Sequence, residues 1–155
     1  MENKMRAVVM RGPGEFGVEM VDIPTPGYKE VLVRIKAVSI CGSDPKVFNG
    51  GFMSIGWPPA FPFTPGHEWA GEVVALGEGV TDYKVGDRVA GEAHCGCGTC
   101  DNCQRGMYNL CLNYGKVAAG HRHYGFTYQG AYAEYNAYNT KAIAKISRLC
   151  QLTTT

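Results

Sequence analysis

Thr64-Pro65-Gly66-His67-Glu68-Trp69-Ala70-Gly71 sets a histidine and a carboxylate between glycines, directly ahead of the apolar run Gly71 to Leu76 (Gly-Glu-Val-Val-Ala-Leu). An imidazole on a glycine-flanked turn can point into a cleft, where a neutral ring nitrogen is able to ligate zinc. The run behind it reads as a strand, so the histidine stands at a strand entrance.

The flanking sequence repeats that arrangement. Upstream, Glu30 to Ser39 alternates apolar Val31, Val33, Ile35 and Ala37 with polar Arg34, Lys36 and Ser39, the period-two pattern of a half-buried strand. It ends just before Ile40-Cys41-Gly42-Ser43-Asp44, which places a thiol and a hydroxyl past a strand end. A short helix is predicted from Ser43 to about Asn49, with Ser43 or Asp44 as N-cap and Pro45 at its first position. Met5 to Met10 and Gly17 to Ile23 read as an opening hairpin about Arg11-Gly12-Pro13-Gly14. Asp87 to Ala90 reads as a further strand, Gly130 to Tyr138 as two short ones and Lys141 to Ile146 as another. Between Gly50 and Pro65, Trp57, Phe61 and Phe63 stand in a Gly- and Pro-rich segment without periodicity, expected to be an ordered loop lining an apolar pocket. Short strands separated by close turn signals predict an all-β barrel or sandwich.

Length and composition narrow the classes of function. With 155 residues, 45% of them apolar, one substantial core and one domain are expected. A net charge of +1 without a basic block offers nothing to nucleic acid or an anionic membrane, so small neutral partners are expected. The first ten residues lack a signal-peptide core and no run approaches membrane-spanning length, which makes the cytoplasm the expected compartment. There, seven cysteines point to metal rather than to disulfides.

Cys97-Gly98-Thr99-Cys100-Asp101-Asn102-Cys103 carries three thiols at two-residue spacing, and Cys111 follows after seven residues. Four sulfurs satisfy tetrahedral zinc with no open position, which is the mark of a structural site. An iron-sulfur cluster and a plain free-thiol loop are the alternatives, the former disfavoured by the spacing to the fourth thiol and the lack of a following proline. Cys95 is left as a free thiol. Cys41 and His67 form a second constellation whose convergence the spacing alone does not establish.

Together these residues carry a resemblance. Gly66-His67-Glu68-x-x-Gly71 with Gly77 and Val80 resembles the signature of the zinc-containing alcohol dehydrogenases of the medium-chain dehydrogenase/reductase superfamily. Cys41-Gly42-Ser43-Asp44, Val85-Gly86-Asp87-Arg88-Val89, the four-cysteine lobe and Gly130-Ala131-Tyr132-Ala133-Glu134-Tyr135 follow in that family's order. The Cys-Gly-Ser-Asp and Gly-His-Glu forms are similar to the sorbitol (polyol) and threonine dehydrogenase branch. The resemblance implies a GroES-like, highly bent β-barrel over 1–146 with a few short helices and a zinc lobe at 95–112, followed by a tail, 147–155, unlike the family.

The resemblance also implies roles. Cys41 and His67 are implied as ligands of a catalytic zinc, and Glu68 as a ligand or as a carboxylate that exchanges with one. Cys97, Cys100, Cys103 and Cys111 are implied for a structural zinc. Ser43 is implied to pass the alcohol proton toward solvent while hydride goes to a nicotinamide, and Asp44 to orient His67. Lys46 stands where many relatives carry the histidine that ends this relay. The one Gly-x-Gly-x-x-Gly match, Gly12-Pro13-Gly14-Glu15-Phe16-Gly17, falls in the turn of the predicted hairpin and not between a strand and a helix, so NAD(P) is expected only with a Rossmann domain that this chain lacks. The family usually draws one more zinc ligand from the start of that domain, a place for which Cys150 is a stand-in. The reading is the catalytic domain of a zinc-dependent alcohol or polyol dehydrogenase that oxidises a secondary alcohol to a ketone, inactive alone. Apolar surface normally covered by a coenzyme domain is expected to drive self-association. The alternatives are a non-catalytic zinc-binding assembly module and a GroES-type chaperonin subunit, which has no reason to carry either zinc site.

Overall fold

A computed structural model describes residues 3–146; the tail, with Cys150, lies outside the described residues. The chain opens with the expected hairpin, β1 (Lys4–Gly12) against β2 (Glu15–Asp22), in an antiparallel register that pairs Val8 with Val18. The centre is a five-stranded antiparallel sheet of β3 (Glu30–Val38), β4 (Trp69–Leu76), β5 (Arg88–Gly91), β8 (Tyr135–Asn139) and β9 (Ile143–Lys145), in the order β8-β3-β4-β5-β9. A two-stranded ribbon, β6 (His94–Cys95) with β7 (Arg122–His123), brackets the cysteine lobe. The fold is mainly β and GroES-like, with the sheet curled into a half-barrel.

Alternation in β3 and β4 builds the core. Val31, Val33, Val73 and Val89 are fully buried and pack with Trp69, Tyr124 and Tyr138. Each such valine contributes roughly 1.5–3 kcal/mol by burial. The pattern in β3 fades at its far end, where the register shifts between Ile35 and Ala37 and leaves Ala37 and Val38 exposed. Past that irregularity the strand stays paired, Val38 with Trp69 and the Ser39 amide to Glu68 O at 3.0 Å, which sets the start of the Cys41 segment beside the His67 turn.

Three local expectations change. Gly130 to Tyr138 forms one strand, β8, rather than two, because the amides of Gly130, Ala131 and Tyr132 donate to the carbonyls of Thr64, Gly66 and Pro65 instead of to a sheet; Ala133 makes only an isolated bridge to Ala7. Lys141 to Ile146 begins as a 3-10 turn, Thr140–Ala142, in which Asn139 accepts from the Lys141 amide, and becomes strand only at Ile143. Within the irregular Gly50 to Pro65 segment, Met53–Ile55 forms a 3-10 turn. Its aromatic residues pack partly on one another: Phe63 is buried with Met10, Val47 and Phe126, and Phe52, Trp57 and Phe61 close over that cluster.

The predicted helix is present as α1 (Asp44–Phe48), with Ser43 at the N-cap and Pro45 in the first turn. A second helical turn, α2 (Asp101–Gln104), lies inside the cysteine lobe.

At Gly77 a Cβ would collide with the carbonyl oxygens of Gly27 and Glu30. The backbone of the β4 exit presses on the β3 entrance there, so Gly77→Ala is expected to destabilise the fold by about 1–3 kcal/mol, the cost of overpacking a tight contact, as measured by urea unfolding.

Candidate functional site

His67 sits on the turn expected of it. Gly66 adopts a left-handed φ of 97°, and a Cβ there would lie 2.8 Å from the Tyr132 amide nitrogen, so only glycine lets the chain turn the imidazole inward at this point. The sheet then brings Cys41, His67 and Glu68 together, one ligand-type atom from each within 4.8 Å of the others. His67 Nε2 faces Ser43 Oγ at 3.5 Å and Glu68 Oε1 at 3.9 Å. Its Nδ1 faces Asp44 Oδ1 at 3.6 Å, beyond hydrogen-bond length, and both of these buried atoms lack any other partner.

Asp44 is 1% exposed, and its other oxygen is fully used. Oδ2 accepts from the Cys41 amide at 2.6 Å and from the Tyr132 hydroxyl at 2.8 Å. Burial, followed by that hydrogen bond to a carboxylate, raises the Tyr132 pKa, so the phenol remains a donor. Glu68 is exposed and is held by the Ser39 hydroxyl, which donates to Oε2 at 2.8 Å.

The far side of His67 is aromatic. Phe126 lies 4.6 Å from the His67 ring and 4.4 Å from that of His123, which stacks in turn on His94 at 4.2 Å. Trp57 meets His123 edge-on at 5.2 Å. The Tyr114 hydroxyl is hydrogen bonded to His123 Nδ1. None of this wall is legible in the sequence except Trp57, which the apolar-loop reading includes; His94, His121 and His123 have no spacing that announces them.

The second group gathers Cys97, Cys100, Cys103 and Cys111 within the same 4.8 Å limit. The sulfurs of Cys97 and Cys103, and those of Cys100 and Cys111, are 3.9 Å apart, close to the ~3.8 Å that tetrahedral zinc-thiolate bonds impose. The Thr99 amide, the Thr99 hydroxyl and the Cys100 amide all lie 3.4 Å from Cys97 Sγ as donors, and the Asn113 amide donates to Cys111 Sγ at 3.4 Å. The Thr99 hydroxyl leads the hydrogen bonds that pull Cys97 down to about 5, whereas burial pushes Cys103 up to about 12. Four crowded sulfurs cannot all be thiolates without a cation among them, and a coordinating thiol is deprotonated outright. The donor set therefore fits zinc. Cys95 stands apart, buried in β6, where desolvation raises it to about 11.

Residues 27–148 match the family described as the alcohol dehydrogenase GroES-like domain. The chain belongs to that family. An L-threonine 3-dehydrogenase of Francisella tularensis subsp. novicida is 42% identical over 132 residues, covering 85% of this chain and 35% of that enzyme. A thermostable alcohol dehydrogenase from Pyrobaculum aerophilum, solved with cobalt and zinc bound, is similar with a TM-score of 0.79 at 31% identity over 92% of this chain and 41% of its own. A short-chain alcohol dehydrogenase from Escherichia coli CFT073, solved with NADH, gives a TM-score of 0.80 at 31% identity over 95% of this chain and 40% of its own. This GroES-like domain thus spans little more than a third of the curated relative's length. No described helix is long and apolar enough to cross a membrane.

Burial lowers His123 from 6.5 to about 3, and His94 and His121 beside it add to the effect. An unfolded histidine takes up its proton near the ordinary value of about 6.5, so between those two values the unfolded state binds more protons than the folded one. Stability then falls as pH drops through the window, by up to about 1.4 kcal/mol per pH unit from this residue. His123→Gln, whose side-chain oxygen can accept from Tyr114, is expected to flatten the loss of stability between about pH 6.5 and 5, as read by urea unfolding at each pH beside the native protein.

Proposed function

We propose that this GroES-like domain, residues 1–146, is the metal-binding catalytic domain of a zinc-dependent alcohol or polyol dehydrogenase that oxidises a secondary alcohol to a ketone. Its NAD(P) is supplied by a coenzyme-binding portion of the kind that the longer relatives have room for. The observation that carries the reading is the meeting of Cys41, His67 and Glu68 within 4.8 Å, next to the Ser43 hydroxyl. In this reading Cys41, His67 and Glu68 hold one zinc, and Cys97, Cys100, Cys103 and Cys111 hold the other.

When bound at the first site, zinc supplies Lewis-acid polarisation of the substrate oxygen. The chain's residues handle position and proton. Ser43, half-buried at the N-cap of α1, accepts the alcohol proton at Oγ and gives up its own toward solvent. Lys46 is exposed on the same short helix and contributes no neutral imidazole to a relay, so the path leads from Ser43 to water. Phe126 and Trp57 form an apolar wall that keeps water from the His67 side and raises the strength of every charge interaction there.

A second reading, a zinc-dependent assembly module, draws on the exposed stripe of Phe16, Val18 and Met20 on β2, with Ile40 beside it 82% exposed. It shares the cysteine lobe but requires nothing of Cys41 or His67.

Elemental analysis of the purified chain separates the two. Two zinc ions per chain are expected, with His67→Asn and Cys41→Ser each losing one and Cys103→Ser losing the other. A single zinc that is indifferent to His67→Asn and Cys41→Ser would overturn the catalytic reading and favour the module.

A further inference from the structure

Tyr132 touches both segments that carry the candidate ligands. From its side of the cleft the amide donates to Pro65 O at 3.0 Å, and the ring packs against Gly66, immediately before His67. Its hydroxyl donates to Asp44 Oδ2 at 2.8 Å and lies 3.3 Å from Ser39 O, at the entrance to the Cys41 segment. Its carbonyl accepts from the Val8 amide at 2.7 Å, which fixes the residue from behind.

The consequence falls on Asp44. A carboxylate has two oxygens and can turn about its terminal bond, so which oxygen meets His67 depends on what holds the other. With Oδ2 taken by the Cys41 amide and the Tyr132 hydroxyl, Oδ1 alone is left, unpartnered and buried, 3.6 Å from the equally unpartnered His67 Nδ1. The alignment keeps Nε2 of the ring directed at Ser43 and Glu68.

We infer that Tyr132 is a positioning residue for His67, acting through Asp44: its hydroxyl fixes the carboxylate so that the free oxygen faces the imidazole, while its backbone ties the turn before His67 to β1. The inference rests on the proposed metal role of Cys41 and His67. Phenylalanine at this position keeps the ring and the backbone contacts and removes only the hydroxyl, so the two contributions are separable.

The test is cobalt(II) binding to the full 155-residue chain whose lobe is already filled with zinc, read by the visible thiolate-cobalt absorption and by competition with a chelator. Tyr132→Phe is expected to bind cobalt about tenfold more weakly than the native chain, in the range found when the partner of a metal-bound histidine is lost. Its unfolding midpoint and lobe zinc should stay near native. In an Asp44→Asn background the same change is expected to have less than a twofold further effect, because the path through the carboxylate is already broken. A cobalt affinity for Tyr132→Phe within twofold of native, while Asp44→Asn weakens binding, would overturn the inference and leave the metal reading standing. A native chain that takes up no cobalt beyond its lobe overturns the metal reading and this inference with it. A tenfold loss that persists undiminished in the Asp44→Asn background would also overturn it, by showing that Tyr132 acts on some other group.

Discussion

The fold depends on a short backbone clasp. The amides of Gly130, Tyr132 and Ala131 donate to the carbonyls of Thr64, Pro65 and Gly66 at 2.6, 3.0 and 2.8 Å, tying two segments far apart in sequence. Backbone groups buried without partners are expensive, and here the partners are the residues that precede His67. The clasp tolerates no bulk: a Cβ at Gly130 would meet the Pro65 and Gly66 carbonyls. Asn136 braces it from β8 by donating to Gln129 O and Gly130 O, and Gln129 accepts from the Thr64 amide. The histidine turn is therefore held by peptide geometry before any metal is considered.

The sequence discloses local features well and tertiary ones poorly. The four cysteines of the lobe lie between Cys97 and Cys111, so their spacing alone predicts that they meet, and they do. The alternation of Val31 and Val33, the Pro45 helix start and the hairpin about Pro13-Gly14 are equally local. Gly130 to Tyr138 misleads because its composition suits a strand while its first amides are engaged by Thr64 to Gly66. Nothing in the local pattern records that competition.

The candidate site shows the same division. His67 between glycines is legible because a positive φ at Gly66 leaves a mark in residue type. Ser43 and Asp44 are legible as helix-start residues, and as more than that only through the family resemblance. The Tyr132 hydroxyl reaches Asp44 across a wide separation in sequence, and the ribbon of β6 and β7 that carries His94 and His123 consists of two-residue strands too short to leave a periodic signal. Aromatic and histidine side chains there fill space around Phe126, and their order in sequence says nothing of that.

The two donor sets differ in a way that follows from how each is assembled. The lobe is all sulfur, with N–H and O–H donors aimed at Cys97 and Cys111, and its ligands come from one continuous segment, so it closes on itself. The other set mixes a half-buried thiol, an imidazole and an exposed carboxylate drawn from two segments. Its carboxylate is steered away by Ser39 as much as toward His67. A set gathered across a sheet cannot be tightened by local sequence alone. Beside it lies buried Asp44, whose unpaired oxygen faces an equally unpaired imidazole nitrogen of His67 at 3.6 Å. A buried polar atom without a partner costs about 1–3 kcal/mol, so two such atoms facing each other mark a place where the fold gives up stability, and it lies at the set gathered across the sheet rather than in the self-contained lobe.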